Sequence, residues 1–307
     1  MTTIANDSSL AEWRAAGTDL SERRRNRVSR GPVRDLAPTP LMLSVDEIAS
    51  GRLRIGASVT VTEIVSTGQI VSGYPGLAAT AAGLATPQIR NVATLGGNLA
   101  QRNRCWYFRH PELECLKKGG STCPAREGNH RYGVAFDLGP CVAPHASSLA
   151  AALMAYDAEV TTDQRSGLTI AALLGDGSDG TSDNALLPGE IIQYIDLPPP
   201  TPGENAGYRR AVSRSLAEWP LAEVVVRAVV QNGAFTMLRL AAGGVAPVPL
   251  RFPEAEAIGE SAPANRETIE SVARATVVSA TPLPMTGYKP ALLEQLFRDV
   301  MEQCLQA

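Results

Sequence analysis

Four of the chain's five cysteines, Cys105, Cys115, Cys123 and Cys141, fall within one stretch, and Cys304 lies far away. In a cytoplasmic chain, clustered thiols read as metal ligands before disulfides. The four are separated by nine, seven and seventeen residues. None forms the close C-x-x-C pair common in zinc sites, which disfavours zinc. Four thiolates also meet the ligand requirement of an iron–sulfur cluster. Spacing alone leaves three states open: an iron–sulfur cluster, zinc, and unligated or disulfide-bonded thiols. The surroundings, Gly119-Gly120-Ser121-Thr122, Pro124 and Gly128-Asn129, are loop-like and poor in apolar residues. Such a loop needs a staple to keep its shape. Cys304 reads differently. Leu293, Leu296, Phe297, Val300, Met301 and Cys304 recur at spacings of three and four. That pattern is one face of a helix from Pro290, with Cys304 a small buried hydrophobe.

Two glycine-containing turns carry a second kind of chemistry. They are Ala15-Ala16-Gly17-Thr18-Asp19-Leu20 and Ala93-Thr94-Leu95-Gly96-Gly97-Asn98-Leu99. Each offers unhindered backbone N–H groups plus a hydroxyl or amide. Phosphate oxygens need such donors at close approach, where a Cβ would intrude. Together the two turns can hold a pyrophosphate. Neither matches G-x-G-x-x-G or a P-loop, and each taken singly reads as an ordinary turn. His110, His130 and His145 lie in or near the cysteine loop and read as loop or interface residues rather than ligands. The run Arg23-Arg24-Arg25-Asn26-Arg27 reads as a solvated face beside the first turn, able to neutralise phosphates or meet an acidic partner. No Ser-His-Asp arrangement or pair of carboxylates can be argued from spacing.

The elements that must position these groups are mixed. The chain has 307 residues, enough for about two domains, with 44% hydrophobic and 19% charged residues, so a packed core is expected. A net charge of -3 argues against a dedicated nucleic-acid binder. The longest apolar run, Leu149–Tyr156, is far short of the ~18 residues of a membrane span. Ser44-Val45-Asp46-Glu47 reads as a capping box starting a short helix that Gly51 ends. Thr60-Val61-Thr62-Glu63 reads as another. Arg52–Val59, Glu159–Thr162 and Ile191–Leu197 read as strands. Pro75–Leu84 and Leu149–Ala158 read as helices. Val92–Asn98 leads into a Gly-Gly turn, and Leu187-Pro188-Gly189-Glu190 is a further turn. Pro198-Pro199-Pro200-Thr201-Pro202-Gly203 reads as a linker. Beyond it, Leu221–Val230 and Ala234–Ala242 flank Asn232-Gly233, a hairpin signal. Helices near Glu267–Ala275 and from Pro290 close the chain. Without a regular βαβ rhythm, the fold class is α+β.

Motif order makes the combination more specific than its parts. Gln88-Ile89-Arg90-Asn91-Val92-Ala93-Thr94-Leu95-Gly96-Gly97-Asn98-Leu99 resembles the flavin-binding signature of the xanthine dehydrogenase and CO dehydrogenase flavoprotein family. Ala16-Gly17-Thr18-Asp19-Leu20 looks like that family's first pyrophosphate loop. Leu187-Pro188-Gly189-Glu190-Ile191-Ile192 and Leu197-Pro198 resemble the end of its FAD domain. Ala242-Gly243-Gly244-Val245-Ala246-Pro247 and Pro284-Met285-Thr286-Gly287-Tyr288-Lys289 look like its C-terminal domain. The cysteine loop, Gln101-Arg102-Asn103-Arg104-Cys105-Trp106-Tyr107-Phe108 through Gly139-Pro140-Cys141, is similar to flavin subunits with an extra [4Fe–4S] cluster. Such subunits occur in bacterial periplasmic-type aldehyde oxidoreductases and, more distantly, in 4-hydroxybenzoyl-CoA reductase.

The resemblance implies a fold and a set of contacts. A two-subdomain, vanillyl-alcohol-oxidase-like FAD-binding domain would span 1–199, with the [4Fe–4S] loop inserted at about 101–145. A small α+β domain with a short antiparallel sheet would span 203–307. Arg14, Ala15, Ala16, Gly17, Thr18, Asp19 and Leu20 would wrap the pyrophosphate. Thr94, Gly96, Gly97 and Asn98 would form a second wall, with Gln101 following it. Ala85 and Thr86 match positions near the flavin, and Ile192 matches an aliphatic residue stacked by the ring. Arg209 matches a basic position at the flavin's polar edge, and the Ser148 hydroxyl would reach FAD. Ala16 stands where the loop usually has Gly, which implies a tighter loop. Cys105, Cys115, Cys123 and Cys141 would ligate the cluster.

The implied function is that of the FAD and [4Fe–4S] subunit of a heterotrimeric molybdenum hydroxylase. A large partner would carry the molybdenum cofactor, and a small partner with [2Fe–2S] clusters would supply electrons. Oxygen, quinone, NAD or ferredoxin would accept them. No catalytic acid or base is expected on this chain. Two rival readings are a self-sufficient FAD oxidoreductase of the vanillyl-alcohol-oxidase type and a degenerate flavin domain with a zinc-stapled docking loop. Met1–Leu20 shows no secretory pattern, and polar residues follow Arg23-Arg24-Arg25, unlike a twin-arginine leader. Cytoplasm is the default compartment, with passage to the periplasm on a partner's signal as the alternative.

Overall fold

The computed structural model describes residues 11–215 and 217–306. The stretch 1–10, the first half of the Met1–Leu20 leader reading, lies outside the described residues. Strands β1 (Glu12–Arg14) and β2 (Val33–Asp35) form a small parallel pair. Five strands build a second sheet: β3 (Val45–Glu47), β4 (Leu53–Gly56), β5 (Glu159–Thr162), β6 (Leu168–Thr169) and β7 (Ile192–Leu197). Their order is β3-β4-β7-β5-β6, and every pair is antiparallel. The third sheet, also antiparallel, has the order β11-β10-β9-β8. Its strands are β8 (Glu204–Ala211), β9 (Ala222–Gln231), β10 (Ala234–Gly243) and β11 (Leu250–Arg251). Among the described residues no helix is long and apolar enough to cross a membrane.

Local sequence explains most elements. Thr60 and Glu63 form a reciprocal capping box on the helix Val61–Ser66, worth about 1 kcal/mol. Asn232 and Gly233 both take positive φ, 51° and 77°, as the tight hairpin between β9 and β10 requires. The helix Lys289–Gln306 buries Leu293, Leu296, Phe297, Val300, Met301 and Cys304 against the third sheet. Cys304 is therefore a core residue.

Two expectations are corrected. Ser44 starts no helix: Val45–Glu47 is a strand, paired to β4 with Val45 opposite Ile55. Sheet pairing there overrides the local capping signal. Gly96-Gly97 is not an open turn. Both lie in the first turn of a helix, Leu95–Leu99, capped by Thr94. Gly96 is demanded by packing, because a Cβ there would sit 2.8 Å from the Ala57 methyl.

Two large apolar cores result. One joins the second sheet to the helices Pro75–Ala82 and Ser148–Ala155, and takes Val225, Ala241 and Val248 from the C-terminal part. The other fills the space under the third sheet and takes in Ala135 and Phe136 from the cysteine loop. That loop has only a small core of its own, Ala125, Val134 and Val142.

Candidate cofactor sites

A cavity of about 440 Å³ opens between β1, the helix Leu20–Arg25, the Leu95–Leu99 helix and the C-terminal sheet. Its lining includes Arg14, Ala15, Ala16, Gly17, Thr18, Asp19, Leu20, Ala85, Thr86, Thr94, Gly96, Gly97, Asn98, Gln101, Ser148 and Ile192. Residues from five separate stretches of sequence thus converge on one space.

The two walls differ in what they offer. Among the described residues, no backbone N–H from Ala15 to Asp19 donates to a protein acceptor. The second wall has used most of its own: Gly96 N–H donates to Ala57 O (2.8 Å) and Asn98 N–H to Thr94 O (2.8 Å). Gly97 N–H donates to Thr94 Oγ1 at 3.2 Å. That wall keeps the Thr94 O–H and the Asn98 amide N–H free to donate, since Asn98 Oδ1 accepts from Ser147 Oγ (2.6 Å). The left-handed residue of the first loop is Gly17, at φ 74°. Ala16 is not left-handed, so its Cβ imposes no strain. Ala85 does carry φ 44°, and Arg90 Nη1 holds that bend by donating to Leu84 O (2.6 Å) and Ala85 O (3.1 Å).

Arg209 does not reach the cavity. It is exposed and pairs with Asp299 at 2.6 Å. Its neighbour Arg210 lines the cavity instead, because successive strand residues face opposite sides. Arg210 Nη1 donates to Gly83 O at 2.7 Å, while its buried Nε has no acceptor. Arg104 also lines the cavity with a buried, unpartnered Nε, and its guanidinium lies 4.3 Å from the Trp219 ring centroid. Strand alternation within Glu204–Ala211 was the available signal for Arg210. Nothing in the sequence singled out Arg104 or Trp219. Trp13 Nε1 donates to Gly189 O (3.0 Å), tying β1 to the Leu187–Glu190 turn. Glu190, on the lining, is held down to about 2 by the Arg165 guanidinium. Free amides, unpartnered guanidinium N–H groups and a glycine at the loop's bend suit an anionic ligand such as the pyrophosphate of FAD.

The four cysteines surround a second, smaller space, together with Asn103, Tyr107, Phe108, Leu116, Lys117, Pro124 and Ala143. No histidine lines it. Three of the cysteines open tight turns: Arg109 N–H donates to Cys105 O (2.9 Å), Lys118 N–H to Cys115 O (2.9 Å) and Arg126 N–H to Cys123 O (3.1 Å). The backbone N–H groups of Tyr107 and Phe108 favour the Cys105 thiolate, and those of Lys117 and Lys118 favour the Cys115 thiolate. Those of Ala125 and Arg126 favour the Cys123 thiolate, and that of Ala143 favours the Cys141 thiolate. Burial pushes the Cys105 and Cys115 thiols up. Cys123 and Cys141 act on one another, which pulls Cys123 down and pushes Cys141 up. Among the described residues no three His, Cys, Asp or Glu side chains converge tightly enough for a single metal ion. The donor set is all sulfur, the ligand type that iron–sulfur clusters take.

The histidines have structural partners. His130 Nδ1 lies 3.0 Å from Ala125 O, and Met285 N–H donates to its Nε2 (3.2 Å). Ser147 N–H donates to His145 Nδ1 (3.2 Å), and Glu112 N–H to His110 Nδ1 (3.3 Å). Of the arginine run, Arg23 is buried and pairs with Glu12 and Asp19.

Residues 8–200 match the FAD binding domain in molybdopterin dehydrogenase, and residues 207–304 match the CO dehydrogenase flavoprotein C-terminal domain. The chain is similar to the aldehyde oxidoreductase FAD-binding subunit PaoB of Escherichia coli (strain K12). Identity is 34% over 281 residues, covering 87% of this chain and 85% of that one. It is 26% identical to the xanthine dehydrogenase FAD-binding subunit of Escherichia coli O157:H7, over 76% of this chain and 65% of that one. Its fold is similar to that of a chain in carbon monoxide dehydrogenase from Hydrogenophaga pseudoflava. There the TM-score is 0.74 at 20% identity, covering 98% of this chain and 91% of that one. The likeness to quinoline 2-oxidoreductase from Pseudomonas putida 86 has the same TM-score, 0.74, at 17% identity, with coverage of 98% and 91%.

Proposed function

Since the chain belongs to the FAD-binding subunits of the molybdenum hydroxylase family, we propose that it carries a [4Fe–4S] cluster beside FAD and relays electrons. The donors are [2Fe–2S] clusters of a small partner subunit, fed by a large molybdenum-cofactor subunit. The acceptor is external: oxygen, quinone, NAD or ferredoxin. The complex is a heterotrimer acting on an aldehyde or an N-heterocycle. The FAD-binding part is 1–199, with the cluster loop at about 101–145, and the C-terminal part is 203–307.

The observation that carries this reading is the gathering of all four clustered cysteines around one void. FAD supplies the exchange between single electrons and electron pairs. The chain's residues hold and orient it. Ala15–Asp19 offer amide N–H groups to the pyrophosphate, and Arg14 flanks them. Thr94, Asn98 and Gln101 line the opposite wall. Ile192 gives the ring an apolar face. Arg104 and Arg210 add positive charge, which favours anionic forms of the cofactor. Cys105, Cys115, Cys123 and Cys141 hold the cluster. No side chain here is asked to act as a general acid or base.

The test is iron, acid-labile sulfide, zinc and FAD per chain, on anaerobically purified protein expressed with its neighbouring genes. About four irons and four sulfides beyond any [2Fe–2S] partner, plus one FAD, is the expected result. Cys105→Ser removes them, and Cys304→Ala does not. FAD with zinc and no extra iron replaces the cluster by a structural staple. FAD with neither metal overturns the cluster assignment.

A further inference from the structure

The part of the chain that offers free amides to FAD is held mostly by charge. Leu20 is buried, yet it joins none of the apolar cores, and within residues 11–38 only Leu36 packs against the main one. What grips this part is Asp19. Arg109 Nη2 donates to Asp19 Oδ1 at 2.6 Å, and Arg104 Nη2 lies 3.1 Å from the same oxygen. Arg102 N–H donates to Asp19 Oδ2 at 3.3 Å. Arg104 also pairs with Glu22 at 2.6 Å. All three partners come from the cysteine loop.

The cysteine turns set where those cations stand. Arg109 closes the helical turn that begins at Cys105, with its N–H donating to Cys105 O (2.9 Å). Its Nε donates to Asn103 O (2.9 Å), and Asn103 Oδ1 accepts from Cys105 N–H (2.9 Å). The next cysteine turn repeats the device. Lys117, two residues after Cys115, pairs with the buried Asp183 at 3.0 Å, and Asp183 also takes Arg102. A displaced Cys105 turn therefore withdraws Arg109 from Asp19. Breaking such buried pairs is costly because it strands a charge.

We propose that the cysteine site and the FAD pyrophosphate loop are thermodynamically linked through Arg109 and Asp19, so that a filled cysteine site tightens FAD binding and FAD in turn protects the cysteine site. Arg109 is a positioning residue: it lines neither cavity and acts through the loop 15–19 that lines the larger one. The proposal rests on the cluster and FAD reading above. Linkage requires both effects to share one factor.

The experiment uses the full chain. FAD affinity is measured by flavin fluorescence on the iron-loaded protein and again after iron is removed with a chelator. The same pair of measurements is made on Arg109→Gln. Iron removal is expected to weaken FAD binding of the native chain roughly 5- to 150-fold. Arg109→Gln starts weak and loses little more. In the reverse direction, which needs no variant, saturating FAD slows iron loss to the chelator. Iron bound but FAD affinity unchanged by its removal overturns the linkage and leaves the cluster reading standing. Equal weakening in both proteins assigns the effect to something other than Arg109 and overturns its role. A chain that binds FAD and never iron overturns the cluster reading and the linkage with it.

Discussion

Tyr208 Oη donates to Glu223 Oε2 at 2.6 Å in a fully enclosed setting where Glu223 is 1% exposed and has no ion-pair partner among the described residues. Glu223 lies opposite Gly243 in the β9–β10 pairing, and a Cβ on Gly243 would fall 2.4 Å from its Oε1. The glycine is therefore the space the carboxyl occupies. Ser148, on the cavity lining, is the other hydroxyl beside it. Burial pushes this carboxyl above its usual range, against the Tyr208 and Ser148 hydroxyls and the positive charge of Arg210.

The folded state thus binds the Glu223 proton more tightly than the unfolded chain does. Its contribution to stability is fully present below about pH 4.5 and declines as pH rises through the raised folded value. Glu223→Gln, nearly isosteric and unable to ionise, is expected to gain on the native protein between pH 5 and pH 8. Thermal unfolding of both at the two pH values reads this. A difference that stays constant contradicts a raised carboxyl.

Lys289 shows the opposite sign. It is 1% exposed, among the described residues its amine donates only to Gly244 O (2.7 Å), and burial lowers it to about 7. The unfolded chain binds this proton more tightly. Stability from this group therefore rises with pH from about 7 toward its ordinary value of 10.5. Lys289→Met is expected to flatten that rise. The check is Tm at pH 7 and pH 9 for both proteins, with parallel curves as the contrary result.

Neighbouring arginines are expected to separate cleanly. Arg210→Gln removes a cavity-facing cation and should weaken FAD binding about tenfold, or about 1.4 kcal/mol. Arg209→Gln breaks an exposed pair with Asp299 and should leave FAD affinity unchanged and stability within ~0.5 kcal/mol. Flavin titration of the two variants decides it, and equal losses would return the flavin-edge role to Arg209.

Two glycines of the cavity differ in what they tolerate. In Gly96→Ala the new methyl meets Ala57 Cβ at 2.8 Å and Ala57 O at 3.1 Å, neither of which can swing aside. A loss of about 1–3 kcal/mol is expected, with reduced FAD content. In Gly17→Ala the new methyl meets only the flexible Arg14 and Ser21 side chains, but at φ +74°. That strain costs about 1–2 kcal/mol, borne by the loop and read as weaker FAD binding with little change in Tm.

Local pattern carried much of this protein. Helical spacing located the Lys289–Gln306 helix and buried Cys304, Asn232-Gly233 marked the hairpin, and Thr60 with Glu63 marked a helix start. Motif order identified the family and drew attention to both cavity walls. These signals are local because hydrogen bonds and periodicity within about ten residues produce them. Other features depended on partners distant in sequence. Ser44–Glu47 became a strand because β4 pairs with it. Gly96 and Gly97 entered a helix because Ala57 and Thr94 take up their N–H groups. Which of two adjacent arginines faces the cavity was decided by strand register, where one residue reverses the side. The gathering of four widely spaced thiols, the isolation of Glu223 and the grip of Arg109 on Asp19 across 90 residues are likewise tertiary facts. Burial and charge pairing belong to the space between segments, and no single segment encodes that space.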